Sequence, residues 1–342
     1  MSLINLKNLL GHARKNKYAV GAFAMTNIDF IEALLESAIE KKSPIILLLA
    51  EVHFKYLDIE RVAPLIIDRA RSANIPVCVS LDHGLNYKTI IKAIRCGFNS
   101  VMFDGSKFPL EENIRQTKEI TRIAHTVDVS VEAELGYVGG ESVGEKAPES
   151  HTPDKNLFTD VRDARKFYEE TGIDALAVAV GNVHGIYKGE PKLDFDRLRE
   201  LRDTVPIPLV LHGGSGISDD DYRKSIEFGI CKINYYTGMT MAAVKRMREY
   251  LDANPDLNSY PDIIRTSMHA IREDVKERLD VFGSTGRCDS SNSLCLSCDD
   301  ESCGIGIDIG SNSQSSLKEI PYNDLVKTIS DKVSNNILKL TR

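Results

Sequence analysis

From the N-terminus to about residue 280, short apolar runs alternate with longer stretches whose apolar positions recur every third or fourth residue. The short runs are Ala19–Ala24, Pro44–Ala50, Pro76–Leu81, Ser100–Phe103, Val129–Ala133, Ala175–Val180, Pro208–Leu211 and Lys232–Asn234. They are rich in β-forming residues and of strand length. Between them lie Phe30–Lys41, Leu57–Ser72, Tyr87–Cys96, Leu110–Val127, Asp160–Thr171 and Asp219–Phe228, which carry the spacing of amphipathic helices. Each run is separated from the next by too much chain for a hairpin, so the strands are predicted to be parallel. Eight such units predict an α/β protein, a closed (β/α)8 TIM barrel. An open, doubly wound sheet is the competing architecture.

Two segments break the rhythm. Gly136–Phe158 is rich in Gly, Glu, Pro and Ser, lacks periodicity and reads as a mobile loop of functional length. Gly283–Ser316 is loaded with Ser, Asp, Gly and Cys; beyond it, Leu325, Ile329, Val333 and Ile337 recur at helical spacing. The expected organisation is a barrel over residues 1–287, a Cys/Ser-rich linker or metal-binding segment over 288–318, and a C-terminal helix over 319–342.

Composition narrows the function. The chain of 342 residues is 42% apolar and 27% charged, ordinary for a soluble globular protein, and its formal charge of −7 argues against a dedicated nucleic-acid binder. Its longest apolar run, Ile45–Ala50, is far short of a membrane span, and no basic region followed by an apolar stretch opens the chain. A cytoplasmic protein is expected. Cys78, Cys96 and Cys231 lie in apolar segments and read as small buried hydrophobes. Cys288, Cys295, Cys298 and Cys303 crowd together, and three readings stay open: a reduced solvent-exposed segment, a second structural zinc or Fe–S site, or a redox-sensitive dithiol.

Barrel chemistry sits just past the C-terminal ends of the strands. Those positions hold Asp82-His83-Gly84, Glu132-Ala133-Glu134, Gly181–Lys188, His212-Gly213-Gly214-Ser215-Gly216 and Asn234-Tyr235-Tyr236-Thr237. Three of the eight histidines fall at three strand ends, each followed by glycine. Three neutral imidazoles converging on a barrel mouth suit Zn2+ with a position open for substrate. The glycines admit a phosphate close to the backbone or simply make tight turns, and the helix after His212–Gly216 is expected to present its N-terminus to an anion.

Taken in order, Ser80–Gly84, Val131–Gly136, the His184-Gly185 loop ending at Lys188, and His212–Gly216 resemble the motif series of class II ketose-bisphosphate aldolases, the fructose- and tagatose-bisphosphate enzymes. The resemblance runs from about Asn5 to Arg287. It implies a TIM barrel, a homodimer or homotetramer, and a phosphorylated sugar substrate cleaved to dihydroxyacetone phosphate and an aldehyde. It further implies His83, His184 and His212 as zinc ligands, with Glu134 close by as a supporting or alternative ligand. Gly185, Lys188, Gly213 and Ser215 would bind the phosphate, with Asn234 and Thr237 completing that pocket. A monovalent cation near the glycine carbonyls is also implied. Asp82 is placed to move the hydroxyl proton; its other reading is a carboxylate that orients a ligand histidine.

The chain departs from that family at three places. The family's loop glutamate usually sits two residues after the second glycine of Gly139-Gly140, where this chain has Ser142; Glu141 is the candidate catalytic residue, with Glu145 behind it. Tyr236 stands where fructose-bisphosphate enzymes generally carry aspartate. Ala50–Lys55 replaces a Ser/Gly-rich turn, so Glu51 is expected to repel a second phosphate unless His53 or Lys55 offsets it. The dihydroxyacetone-phosphate half looks intact and the aldehyde half remodelled, so the aldehyde need not be glyceraldehyde 3-phosphate.

Overall fold

A computed structural model describes residues 2–140, 155–185, 187, 189 and 191–288. The eight apolar runs become eight parallel strands: β1 Val20–Ala24, β2 Ile45–Ala50, β3 Val77–Gly84, β4 Ser100–Phe103, β5 Ser130–Leu135, β6 Ala175–Val178, β7 Leu209–Leu211 and β8 Ile230–Tyr235. Each pairs with its sequence neighbours and β8 pairs with β1, closing a barrel and excluding the open sheet. Ten α-helices are described: α1 Leu6–Lys15, α2 Ile28–Glu40, α3 Ile59–Ser72, α4 Tyr87–Arg95, α5 Leu110–His125, α6 Val161–Thr171, α7 Phe195–Thr204, α8 Asp219–Glu227, α9 Thr237–Ala253 and α10 Tyr260–Val281. None of the described helices is long and apolar enough to cross a membrane.

Alternation along the strands sorts residues into two cores. Phe23, Leu47, Val79, Val101, Val131 and Leu176 point outward and pack beneath the helices. Val20, Ala22, Ile46, Cys78, Ala177 and Val210 point inward and share a second cluster with α1, whose Leu6, Leu9, Leu10 and Ala13 are fully buried. The inward set is made of smaller residues, as the narrow interior of an eight-stranded barrel demands. The segment before α1 is tied to the start of β3, where Ile4 N donates to Val77 O and Val77 N donates to Ser2 O. Helix α1 thereby plugs the N-terminal mouth, leaving the opposite mouth open.

Cys78, Cys96 and Cys231 are free thiols; Cys78 and Cys231 are buried. Cys288 packs against the outer core and its N–H donates to Lys42 O. Cys295, Cys298, Cys303 and the expected helix of 319–342 lie outside the described residues.

Candidate active site

The open mouth is built on an irregularity in β3. The β3–β4 register shifts between Leu81 and Gly84, and His83 takes a left-handed backbone, φ 46°. In a regular strand Asp82 and His83 would face opposite ways; the bulge turns both toward the cavity. A non-glycine residue in this conformation carries strain of about 1–3 kcal/mol, which the surrounding hydrogen bonds must hold.

His83, His184 and His212 meet above the barrel interior, with ligand atoms within 4.8 Å of one another. Two of the rings are fixed by carboxylates, which can only accept. His83 Nδ1 lies 2.8 Å from Asp104 Oδ2, and His212 Nε2 lies 3.0 Å from Glu132 Oε1. The carboxylates fix a proton on each of those nitrogens, so His83 Nε2 and His212 Nδ1, 3.0 Å apart, turn toward each other and toward a common point. His184 Nε2 is buried with no hydrogen-bond partner. Glu134 adds a carboxylate: its Oε1 accepts from Val138 N, and Oε2 stands 3.5 Å from His212 Nδ1 without a hydrogen bond. Three convergent ring nitrogens, one of them buried and unpartnered, fit a divalent metal ion.

The electrostatics point the same way. Burial, then the charges of His83 and His212, push His184 down to about 3, and burial with His83 lowers His212 well below its usual range, so both rings are neutral near pH 7. Burial also opposes charge on His83, yet Asp82, the Asp104 hydrogen bond and Glu134 outweigh it and hold its pKa at about 10. Burial and then Asp104 push Glu134 up to about 8. Asp82 stays ionised: burial raises its pKa, but His83, His212 and Lys232 together bring it below the usual carboxylate range. The proton on His83 is the charge that offsets Asp82 and Asp104, and a metal ion held by Nε2 would displace that proton and take over its role.

The sequence pattern assigns no role to Asp104 or to the pair Glu132–Lys232. Asp104 follows β4, held by Ser106 N and Oγ, and it is the carboxylate that orients His83; Asp82 instead accepts from Asn234 Nδ2 at 3.0 Å. Lys232 Nζ reaches both oxygens of Glu132, 2.9 and 2.7 Å away, inside the barrel, where both side chains are essentially inaccessible. Glu132 and Glu134 share the inward face of β5 because they are two residues apart. One holds a histidine from below; the other borders the cavity.

Beside the histidines lies a cradle of backbone. Gly213 has φ +61°, and a Cβ there would stand 2.0 Å from Val183 O, so only glycine fits. Tyr187 OH donates to Gly213 O and accepts from Val183 N, joining the two glycine loops. Ser215 Oγ accepts from Gly238 N in the first turn of α9. Gly185, Gly213, Ser215, Asn234 and Thr237 all line one cavity of about 490 Å3 with the histidines and Asp82. The helix whose first turn faces that cavity is α9. The helix after His212–Gly216, α8, begins only at Asp219 and is occupied by its own Ser218 cap and Asp219–Asp221, so it is not the anion site the sequence implied. Lys188 and Glu141 lie outside the described residues; Gly140, just before Glu141, pairs with His184.

The chain's full set of motifs matches the family model of class II fructose-bisphosphate aldolase over residues 4–287. This chain belongs to that family. A fructose-bisphosphate aldolase from Staphylococcus aureus is 39% identical over 292 residues, spanning 84% of this chain and 99% of the relative. Among solved structures, the YdjI aldolase of Escherichia coli K12 is similar at a TM-score of 0.74 and 34% identity, covering 84% of this chain and all (100%) of that one. A putative fructose-1,6-bisphosphate aldolase from Coccidioides immitis also gives 0.74, at 30% identity and with 83% and 97% covered. Membership makes the chain a lyase of the aldolase type that acts on a phosphorylated sugar. It also explains why the bulged Asp82-His83, the His184 loop and the His212 cradle occur in one barrel.

Proposed function

We propose that this class II aldolase is zinc-dependent and reversibly cleaves a ketose phosphate to dihydroxyacetone phosphate and an aldehyde. The observation that supports it most is the meeting of three oriented imidazoles with a glycine-lined cradle in one cavity. His83 through Nε2, His212 through Nδ1, and His184 would hold the metal, with Glu134 as supporting ligand. Bound there, zinc supplies Lewis acidity that polarises the ketone and stabilises the charge left on the three-carbon fragment.

The other residues divide the remaining work. Gly185, Gly213, Ser215 and Thr237, aided by the N-terminus of α9, would bind the phosphate, and Lys188 is assigned to the same task. Asp82, ionised and held by Asn234, would accept the substrate hydroxyl proton in cleavage and return it to the aldehyde oxygen in condensation. Asn234 would serve twice, since its Oδ1 is buried and unpartnered while its amide nitrogen holds Asp82. Glu141 would move the proton on the carbon of dihydroxyacetone phosphate. A monovalent cation near the glycine carbonyls, a homo-oligomer and a cytoplasmic setting complete the reading; the free thiols fit a reducing compartment.

Treatment with a chelator, followed by metal analysis, should abolish release of dihydroxyacetone phosphate, and added zinc should restore it. Full turnover by metal-free protein would sink the reading. Asp82→Asn should lower kcat by roughly 100- to 10,000-fold with little change in zinc content. Gly213→Ala should raise the KM for dihydroxyacetone phosphate in the condensation direction by about 10- to 100-fold, because the cradle must shift. An unchanged KM would remove Gly213 from the phosphate site.

A further inference from the structure

The cavity wall away from the histidine cluster is formed where β2, β1 and β8 end. Ala24, Leu48 and Ala50 supply small apolar surface there, and His53 and Tyr236 supply the rings. Both charged groups of the Glu51–Lys55 turn are engaged by neighbours, and Glu51 also lines the cavity. Glu51 is turned onto the start of α4, accepting from Leu85 N at 2.7 Å and Thr89 Oγ1 at 2.9 Å. Lys55 Nζ lies over the Tyr56 ring, 5.0 Å from its centroid. His53 is the residue that remains. It is 2% exposed, its ring centroid is 4.9 Å from that of Tyr236, and neither ring nitrogen has a hydrogen-bond partner among the described residues. Two unpartnered polar atoms buried at a cavity wall are costly unless a ligand meets them.

We propose that His53, packed on Tyr236, is the specificity-determining residue for the aldehyde half and selects an uncharged polyhydroxylated aldehyde over a phosphorylated one. The proposal rests on the zinc-aldolase reading above. Burial lowers the pKa of His53, so the ring is neutral and offers one donor and one acceptor. Two hydroxyl groups of a polyhydroxylated chain, each able to donate or accept, can satisfy both nitrogens; a phosphate dianion offers acceptors alone and would leave the accepting nitrogen without a donor. Charge works in the same direction. Glu51, Asp82, Asp104 and Glu134 line the cavity, while the one lysine or arginine lining it among the described residues is Lys107, which follows β4, two strands round the barrel from β2. Lys55, the cation close enough to bear on His53, is turned onto the Tyr56 ring and is not among the residues lining the cavity.

In the condensation, a carbon–carbon bond forms as dihydroxyacetone phosphate loses a proton from carbon and the aldehyde oxygen gains one, with no redox change. Glyceraldehyde and glyceraldehyde 3-phosphate differ only in the phosphate and make a direct comparison with the zinc-loaded full chain. The expected kcat/KM is about tenfold or more higher for glyceraldehyde. His53→Ala should lower it by roughly 10- to 100-fold, chiefly through the KM for the aldehyde, while the KM for dihydroxyacetone phosphate stays constant. His53→Gln, which keeps a donor and an acceptor, should recover part of the loss. A tenfold preference for the phosphorylated aldehyde overturns the proposal alone, as does equal loss on both aldehydes in His53→Ala. No bond formation with either aldehyde overturns the zinc-aldolase reading as well.

Discussion

His184→Ala is expected to reduce kcat/KM for aldol cleavage by on the order of 1,000-fold or more and to leave the purified protein short of zinc. His184 supplies the buried nitrogen that has no protein partner, so its loss removes a ligand without unbalancing a hydrogen-bond network. The fold should survive, because His184 lies on a two-residue pairing outside the barrel sheet. Metal analysis, turnover and a circular dichroism melt read the three quantities separately. Near-normal zinc content with near-normal turnover would remove His184 from the metal set. Loss of all three together would mean that the residue is structural.

The second large effect is expected inside the barrel. Lys232→Met should destabilise the protein by about 3–5 kcal/mol, because Glu132 would be left as an unpaired buried charge. At roughly 2–4 °C per kcal/mol for a domain this size, the melting temperature should fall on the order of 10 °C. Adding Glu132→Gln should restore much of that loss by neutralising the orphan. Glu132→Gln alone should weaken zinc binding by about 10- to 100-fold, since glutamine can donate as well as accept and no longer fixes the proton on His212 Nε2. Unfolding curves and zinc titrations check both halves. Unchanged stability in Lys232→Met would refute the charge argument.

Much of this was legible in the sequence because a parallel barrel writes itself as repeated apolar runs. β4 has the bounds read from the pattern, and the other seven strands are recovered with shifted ends. β3 runs on to Gly84 because a bulge continues pairing past the apolar run. Helices α1, α7, α9 and α10 were not singled out. The 17-residue α9 buries just Met239 and Ala243, so it carries a weak stripe. The histidines could be found because each sits at a strand end before glycine. Asp104 could not, since a lone carboxylate in the turn after β4 looks like any surface charge, and the roles of Glu132 and Lys232 could not, since a charge on a strand looks solvent-facing until the barrel closes around it. Even so, Glu132 and Lys232 sit in apolar strands, where a charge has to find a partner. Glu51 lines the cavity as its place in the sequence suggests, but the direction of its oxygens and of Lys55 comes from α4 and Tyr56 and is not written in the charges.

The plug formed by α1 sets how mutational tolerance should be distributed along the barrel axis. Changes at Leu6, Leu9 or Leu10 should be read as abundance and melting temperature, with the specific activity of surviving molecules preserved. Changes at the open mouth should do the reverse. Lys232 lies between these two zones, touching the residue that anchors His212 while filling the interior above the plug. A saturation library scored separately for protein level and turnover should therefore separate into two populations by depth, with position 232 falling in both.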